Sequence, residues 1–211
     1  EVGSFRKIAT LSETSNFMLI FLKKFEDYYP YLNKKASEVL ITKEIVQKID
    51  IVVDKYGEIK DNASADLLAI RREMNLVRGK VNQSFGVALT QYNGLGYLDD
   101  IKESFVQNRR VLAVLAMYRR KVKGTILGSS KTGSIAYIEP ELTLKYSREL
   151  SNLEYEEKEE ITRILKQLSN QIRPYLPLLI EYQEFLSDID VVAGKAKYAN
   201  RINGILPTIT E

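Results

Sequence analysis

The stretch SADLLAIRREMNLVRGKVNQSFGVALTQY, residues 64–92, decides how this chain folds. Its apolar residues recur in steps of three or four, at Leu67, Ile70, Met74, Val77, Val81, Phe85, Ala88 and Tyr92. This spacing predicts one long helix with a single apolar seam. Ser64 is a good N-cap residue, and Asp66 places a negative charge in the first turn. A helix with so narrow a seam requires a second helix beside it.

Residues 141–173 carry a second seam of similar length. Its members are Tyr146, Leu150, Leu153, Glu157, Ile161, Ile164, Leu168 and Ile172. Pro140 is well tolerated in a first helical turn, whereas Pro174 and Pro177 each remove a helical hydrogen bond and should kink or end the helix. The two matched seams predict an antiparallel helix pair, followed by another helix over Leu178–Ala199.

The residues between the two long helices have a sequence pattern typical of β-strands. Short apolar runs over 111–118, 122–127 and 134–138 alternate with turns rich in Gly, Ser and Lys, and 104–107 resembles one more strand. A break over residues 93–103, around Asn93-Gly94 and Gly96, precedes them. The predicted fold is therefore mainly α, with a small antiparallel β unit at the tip of a long antiparallel helical hairpin.

The pattern of the first 60 residues predicts helices at the base of this hairpin. We expect one helix over Leu11–Tyr29, ended by Pro30, and another over Ser37–Tyr56, ended by a turn in which Gly57 takes a positive φ. The predicted divisions are 1–63 for base helices, 64–103 for the outbound helix and hinge, 104–139 for the β unit, and 140–211 for the return and base helices.

The positive charge of this chain is concentrated in the predicted β unit. Residues 104–138 contain no Asp or Glu, although the whole chain has a net charge of only +3. The cations of this window are Arg109, Arg110, Arg119, Arg120, Lys121, Lys123 and Lys131. A local positive field on a slightly acidic body predicts a phosphate-binding surface.

Each of these residues also has a purely structural interpretation. The run Arg119–Lys123 and Lys131 suit solvated turns whose charge prevents edge-to-edge strand pairing. Arg109 or Arg110 can instead pair with Glu139 or Glu141. Tyr118 and Tyr137 can stack on exposed bases or pack within the sheet.

Composition argues against several kinds of site. The chain has no Cys and no His, which excludes disulfides, zinc–thiolate sites and imidazole catalysis. The acidic pairs Asp99-Asp100 and Asp188-x-Asp190 offer too few convergent ligands for a metal. No phosphate-binding G-x-x-x-x-G-K-[ST] loop and no apolar run of membrane-spanning length occur. We expect no catalytic residue, metal or membrane contact here, and a cytoplasmic location by default. The start at Glu1 rather than Met suggests a piece of a longer protein.

Five segments resemble the second bacterial MutS family, some of whose members end in an Smr domain. In chain order they are Asp54–Ser64 with Leu67, Ile70, Arg71 and Arg72; Asn108–Val114; Val122–Ile126 leading to Thr132-Gly133 and Tyr137–Pro140; Glu156–Ile161 with Ile164-Leu165; and Asp190 with Gly194–Ala199. They follow the family's order and cover residues 50–200.

The resemblance implies core and lever helices with a β clamp at the tip of the lever. In such proteins an ATPase domain follows the lever, and dimeric ATPases close their clamps around nucleic acid. We therefore expect ATP and Mg²⁺ to bind only in a longer parent, after residue 211, and we expect that parent to form a homodimer. The expected ligand is duplex or branched DNA, or ribosomal RNA. The alternative is a coiled-coil module that binds only protein or mediates dimerisation.

This chain also departs from the family's pattern. Leu127 and Gly128 stand where the family carries His-Asp, and Ser147-Arg148 replace its Asn-Asn pair. Asn108 replaces a Gly before the strand arginine, and Asn still tolerates a left-handed conformation. These departures suggest a divergent paralogue.

Overall fold

The computed structural model describes residues 2–205 of the chain, which are mostly helical and include one small antiparallel sheet. The elements are α1 Val2–Lys24, α2 Pro30–Ala36, α3 Glu44–Val52, α4 Ala65–Gly94, β1 Leu98–Val106, β2 Arg109–Leu115, β3 Gly124–Ser129, β4 Ile135–Pro140, α5 Glu141–Ile172 and α6 Leu176–Arg201. Two short 3-10 turns cover Ala116–Tyr118 and Arg173–Tyr175. The predicted fold class, mainly α with a small β part, is confirmed. Among the described helices, none has the length and apolar character needed to cross a bilayer.

The chain divides into two compact units. One, the helical unit, comprises residues 1–64 and 162–211, and the other, the sheet unit, comprises residues 65–161. The sheet unit contains the entire sheet, α4 and the first part of α5. It therefore holds every candidate site residue named above.

Within the helical unit, α1 packs against α2, α3 and α6. Tyr182 of α6 is fully buried there, and its hydroxyl is satisfied on all sides. It lies 2.8 Å from the carbonyl oxygen of Leu40 and 3.1 Å from Oδ1 of Asn16, and it accepts a hydrogen bond from the Thr42 N–H. Burial raises the pKa of this phenol, which keeps the hydroxyl protonated and able to donate.

Proline positions explain where the helices of this unit begin and end. Our prediction that Pro30 ends the first helix is wrong, because α1 already ends at Lys24 and Pro30 occupies the first turn of α2. A first turn needs no backbone N–H from proline, so the ring is accommodated there. The second predicted helix is also too long, since α3 begins only at Glu44. The predicted interruption at Pro174 and Pro177 is confirmed by the 3-10 turn between α5 and α6.

A tight turn follows α3 and ends in the bridge between Val53 and Ile59. Gly57 has a φ of 87° in this turn, as the sequence predicted. The Asp54 carboxylate accepts hydrogen bonds from the backbone N–H groups of Tyr56 and Glu58, at 2.8 and 2.9 Å. These bonds lower the pKa of Asp54, with the Glu58 bond contributing most.

The sheet has the strand order β1-β2-β4-β3, and every neighbouring pair is antiparallel. The register pairs Leu112 with Ile138 and Val114 with Ala136, so these four side chains share one face. That face packs on α4 and forms the core of the unit with Phe85, Ala88, Tyr92 and Val122. In the second half of α4, the apolar seam predicted over residues 64–92 therefore packs on the sheet.

The strands differ from the sequence prediction mainly at their ends. β1 begins at Leu98, inside the stretch expected to be a break, because Tyr97 and Leu98 pack on the core. A register shift interrupts its pairing, and Lys102 takes a φ of 60° there. β2 ends at Leu115 rather than at Tyr118. The β1–β2 turn holds Asn108 at a φ of 62°, which is the left-handed conformation expected for it.

Within the sheet unit, α4 and α5 run antiparallel. Arg71, near the start of α4, donates through Nε to Oε1 of Glu157 at 2.7 Å. Further along α4, Arg78 and Asn82 line a cleft of about 440 Å³ together with Ser147 and Leu150 of α5. The seam is therefore not continuously dry, because polar side chains from both helices face this cleft.

Candidate nucleic-acid interface

The segment 116–123, which joins β2 to β3, carries four of the five exposed cations of the window 104–138 and has a defined backbone conformation. The N–H of Arg119 donates to the carbonyl of Ala116 at 3.3 Å, and the N–H of Lys121 donates to that of Tyr118 at 2.8 Å. At its far end, Lys123 donates its N–H to the hydroxyl of Tyr92 at 3.1 Å and accepts from the Glu141 N–H at 3.1 Å. The segment is therefore attached to both α4 and α5.

Val122 explains why the neighbouring lysines face solvent. Its side chain is only 6% exposed and belongs to the core on α4. Lys121 and Lys123, on either side of it, are exposed, as are Arg119 and Arg120. Within residues 2–205, no ion pair neutralises any of these four cations. We call Arg119, Arg120, Lys121 and Lys123 the basic segment.

Lys131 lies in the turn between β3 and β4. The turn is closed by the Gly133 N–H, which donates to the Ser130 carbonyl at 2.9 Å, and Gly133 itself has a φ of 71°. The Ala116 N–H donates to the Ser134 carbonyl at 2.9 Å, which places this turn beside the start of segment 116–123. Lys131 is exposed and forms no ion pair with a described residue, so it extends the same positive surface.

Arg109 and Arg110 belong to a different environment, because carboxylates neutralise both. Arg109 donates through Nη1 to Oε2 of Glu139 at 3.0 Å, as one of the structural interpretations predicted. Arg110 makes a forked contact with Glu103, through Nη2 at 2.8 and 3.0 Å and through Nε at 3.1 Å. Its guanidinium also lies 4.4 Å from the centre of the Phe85 ring.

The tyrosines of the unit pack against one another. Tyr118 is stacked on Tyr97, with ring centres 4.6 Å apart and planes inclined by 22°. Tyr97 in turn lies beside Tyr92, at 6.4 Å and 25°. Tyr137 is half-buried in β4. The packing interpretation therefore holds for Tyr118, and the Tyr97 ring has two aromatic neighbours, Tyr92 and Tyr118.

Two features of this surface were missed from the sequence. Glu103 lies immediately outside the window 104–138, so counting charge inside the window hid the partner of Arg110, whereas Glu139 was already a candidate partner of Arg109. Strand pairing was the signal that could have found Glu103, since it sets residues of β1 opposite β2. The stack of Tyr92, Tyr97 and Tyr118 had no signal in the spacing of these residues.

Comparison with known proteins places the chain in a family. No family model matches it. A Clostridioides difficile protein named Endonuclease MutS2 is 33% identical over 191 residues, which are 88% of this chain and 24% of that protein. The chain belongs to the MutS2 family. The Halothermothrix orenii protein of the same name is 31% identical over 188 residues, or 89% of this chain. A Geobacillus relative, also named Endonuclease MutS2, is 26% identical over 190 residues.

The resemblance to the second MutS family, first found in five short segments, is thereby confirmed over nearly all of the chain. The chain spans about a quarter of the length of the MutS2 relatives that it matches.

Proposed function

We propose that the sheet unit is a nucleic-acid-binding clamp and that the basic segment and Lys131 contact phosphates. One observation carries this proposal: five exposed cations, which have no carboxylate partner among residues 2–205, lie on one segment and the turn beside it. Arg109 and Arg110 were candidates on sequence, but Glu139 and Glu103 already neutralise them. We therefore assign those two arginines to the stability of the unit.

Membership of the MutS2 family supports the larger context of the proposal. In a longer parent protein, α4 and α5 are the lever, and two clamps of a homodimer close around DNA or ribosomal RNA. ATP and Mg²⁺ bind in parts of that parent that this chain does not include. The relatives are named as endonucleases, and we place any such activity of the parent outside these residues as well.

Phosphate contacts define how such a clamp behaves. They carry no sequence information, so duplexes of different sequence bind with similar affinity. Each neutralised phosphate releases counterions, and log K falls with log salt by about 0.9 per contact on duplex DNA. Binding through five cations is therefore strongly salt-dependent and indifferent to sequence.

The test compares two variants with the same change in charge. In the first, Arg119, Arg120, Lys121 and Lys123 are changed to Ala. In the control, the exposed helical residues Arg72, Lys80, Lys145 and Arg148 are changed to Ala. Fluorescence anisotropy measures the Kd of each for duplex DNA, branched DNA and ribosomal RNA from about 50 to 200 mM salt.

We expect the first variant to lose most of its binding and up to about 0.9 of salt slope per lost duplex contact. The control should approach the parent at physiological salt, where screening over about 8 Å suppresses long-range attraction. Equal behaviour of the two variants on all three nucleic acids would remove the basic segment as the contact surface. If the unmutated chain binds none of the three nucleic acids, even at low salt, the protein-interaction alternative remains.

An exposed aromatic surface in the helical unit favours that alternative as a second function. Phe21, Phe25 and Tyr29 pack together near the end of α1, with ring centres 4.8 and 6.3 Å apart. Phe17 and Tyr28, on the same stretch, are 67% and 79% exposed. Aromatic residues clustered at a surface are typical of protein interfaces. Sedimentation velocity of the unmutated chain and of the Phe17→Ser/Phe21→Ser double variant reports whether this surface mediates self-association.

A further inference from the structure

We propose that Tyr92, Tyr97 and Tyr118 are positioning residues for nucleic-acid binding, which hold Lys121 and Lys123 in the conformation that meets phosphate. This inference rests on the proposed function of the basic segment. We call these three residues the tyrosine stack.

The contacts of Lys121 are the first support. Its ammonium nitrogen is 5.7 Å from the centre of the Tyr97 ring and 5.6 Å from that of Tyr118. The two distances are nearly equal, so the ammonium lies beside the stacked pair and over the face of at most one ring. A ring face at this distance attracts a cation weakly while leaving its N–H donors accessible to an anion. Lys121 is thus restrained without being neutralised.

The backbone of Lys123 is the second support. Tyr92 is 8% exposed, and its hydroxyl accepts the Lys123 N–H at 3.1 Å. The Tyr92 ring belongs to the core formed by α4 and the sheet. One buried residue therefore connects α4 to the backbone of the basic segment, beside Val122.

Restraint of this kind favours binding for an entropic reason. A free lysine loses rotamer freedom when it contacts a phosphate, and so does a loop that must become ordered. A segment already ordered by the tyrosine stack loses less. Breaking the stack should therefore weaken binding only through the lysines that it positions.

A double-mutant cycle tests this dependence on the full 211-residue chain. The variants are Tyr97→Leu, Lys121→Ala and the two combined, with a labelled duplex DNA of about 30 base pairs, a length that spans roughly three helical turns, as the probe. We expect Tyr97→Leu to raise Kd about two- to tenfold in the otherwise unmutated chain and to leave Kd unchanged in the Lys121→Ala background. Tyr97→Phe keeps the ring and should bind like the parent.

Tyr92→Phe provides a second cycle that preserves the core, because it keeps the buried ring and removes only the acceptor for the Lys123 N–H. We expect it to weaken binding in the parent and not in the Lys123→Ala background. Ile138→Val is the control for a general loss of stability, since Ile138 lies in the same core and belongs neither to the basic segment nor to the tyrosine stack. It should lower the melting temperature and leave Kd unchanged.

The outcomes separate this inference from the proposed function. If the tyrosine changes raise Kd equally with and without the lysines, or leave it unchanged in the parent, the positioning role is wrong. That result leaves phosphate contact by the basic segment standing, provided that the fourfold Ala variant loses binding. If the unmutated chain binds none of duplex DNA, branched DNA and ribosomal RNA, both the positioning role and the proposed function are wrong.

Discussion

Arg109 donates to Glu139 across β2 and β4 at 3.0 Å, and the Glu139 side chain is only 1% exposed. The other carboxylate oxygen, Oε1, has no hydrogen-bond partner among the described residues. Arg109 is therefore the group that compensates the buried charge. This dependence makes the pair a test of which arginines of the sheet unit are structural.

We predict that Arg109→Ala lowers the free energy of unfolding by about 3–5 kcal/mol, because it leaves a buried carboxylate without a partner. Urea denaturation followed by circular dichroism measures the loss. Arg109→Ala combined with Glu139→Gln should recover part of it, since the charge is then gone. Arg120→Ala, an exposed control, should stay within about 0.5 kcal/mol of the parent. Equal stability of the two single variants would contradict the assignment.

Gly124 begins β3 and is paired with Pro140 of β4. A Cβ atom at this position would lie 2.1 Å from the carbonyl oxygen of Glu139, a backbone atom that cannot move aside without disturbing β4. We predict that Gly124→Ala destabilises the chain by several kcal/mol, on the order of other backbone clashes in packed cores. Thermal unfolding provides the measurement.

The control for this change is Gly86→Ala in α4, where a Cβ would meet nothing within 4 Å. Alanine is the better helix former, so this variant should gain about 0.5–1 kcal/mol. A Gly124→Ala variant that melts with the parent would show that the β3–β4 contact is looser than described.

The seam of α4 is not uniform, and two valines four residues apart should differ. Val77 is fully buried, whereas Val81 is half-buried and lines the cleft shared with Arg78 and Arg110. We predict that Val77→Asp costs about 3–5 kcal/mol, because it buries an unpaired charge in place of an apolar side chain. Val81→Asp should cost about 1 kcal/mol or less, since water and nearby guanidinium groups can solvate the carboxylate. Denaturant titration of both variants decides; a reversed order would mean that the dry part of the seam lies elsewhere.

Asp54 predicts a pH dependence in the helical unit. The backbone N–H of Glu58, followed by those of Tyr56 and Gly57, lowers the pKa of this carboxyl below its ordinary value. A carboxyl with a lowered folded-state pKa contributes stability above its unfolded pKa, near pH 3.9, and that contribution is lost as the pH falls through the folded pKa.

Asp54→Asn isolates this contribution, because the amide keeps an oxygen acceptor without the charge. The difference in unfolding free energy between the parent and Asp54→Asn should be constant at neutral pH and shrink below about pH 4. Chemical denaturation at a series of pH values measures it. A difference that grows on acidification would contradict the assigned sign.

The helices and strands of this chain follow from local sequence because their causes are local. The step pattern from Leu67 to Tyr92 predicted α4, and short apolar runs between Gly- and Ser-containing turns predicted β2, β3 and β4. Pro174 and Pro177 predicted the end of α5. The prediction that Pro30 ends the first helix was wrong, because a proline can end one helix or begin the next, and only the packing of α1 and α2 decides which.

The sequence by itself also determined that seven cations lie within one short window, and that residues spread over 50–200 resemble the second MutS family. Only the tertiary structure decided which cations remain available. Strand pairing brought Glu139 to Arg109 and Glu103 to Arg110, whereas Val122 turned Lys121 and Lys123 toward solvent by occupying the core. The physical reason is that charge is a property of each residue, but neutralisation depends on which residues the fold brings within a few ångströms, and no local pattern encodes that distance.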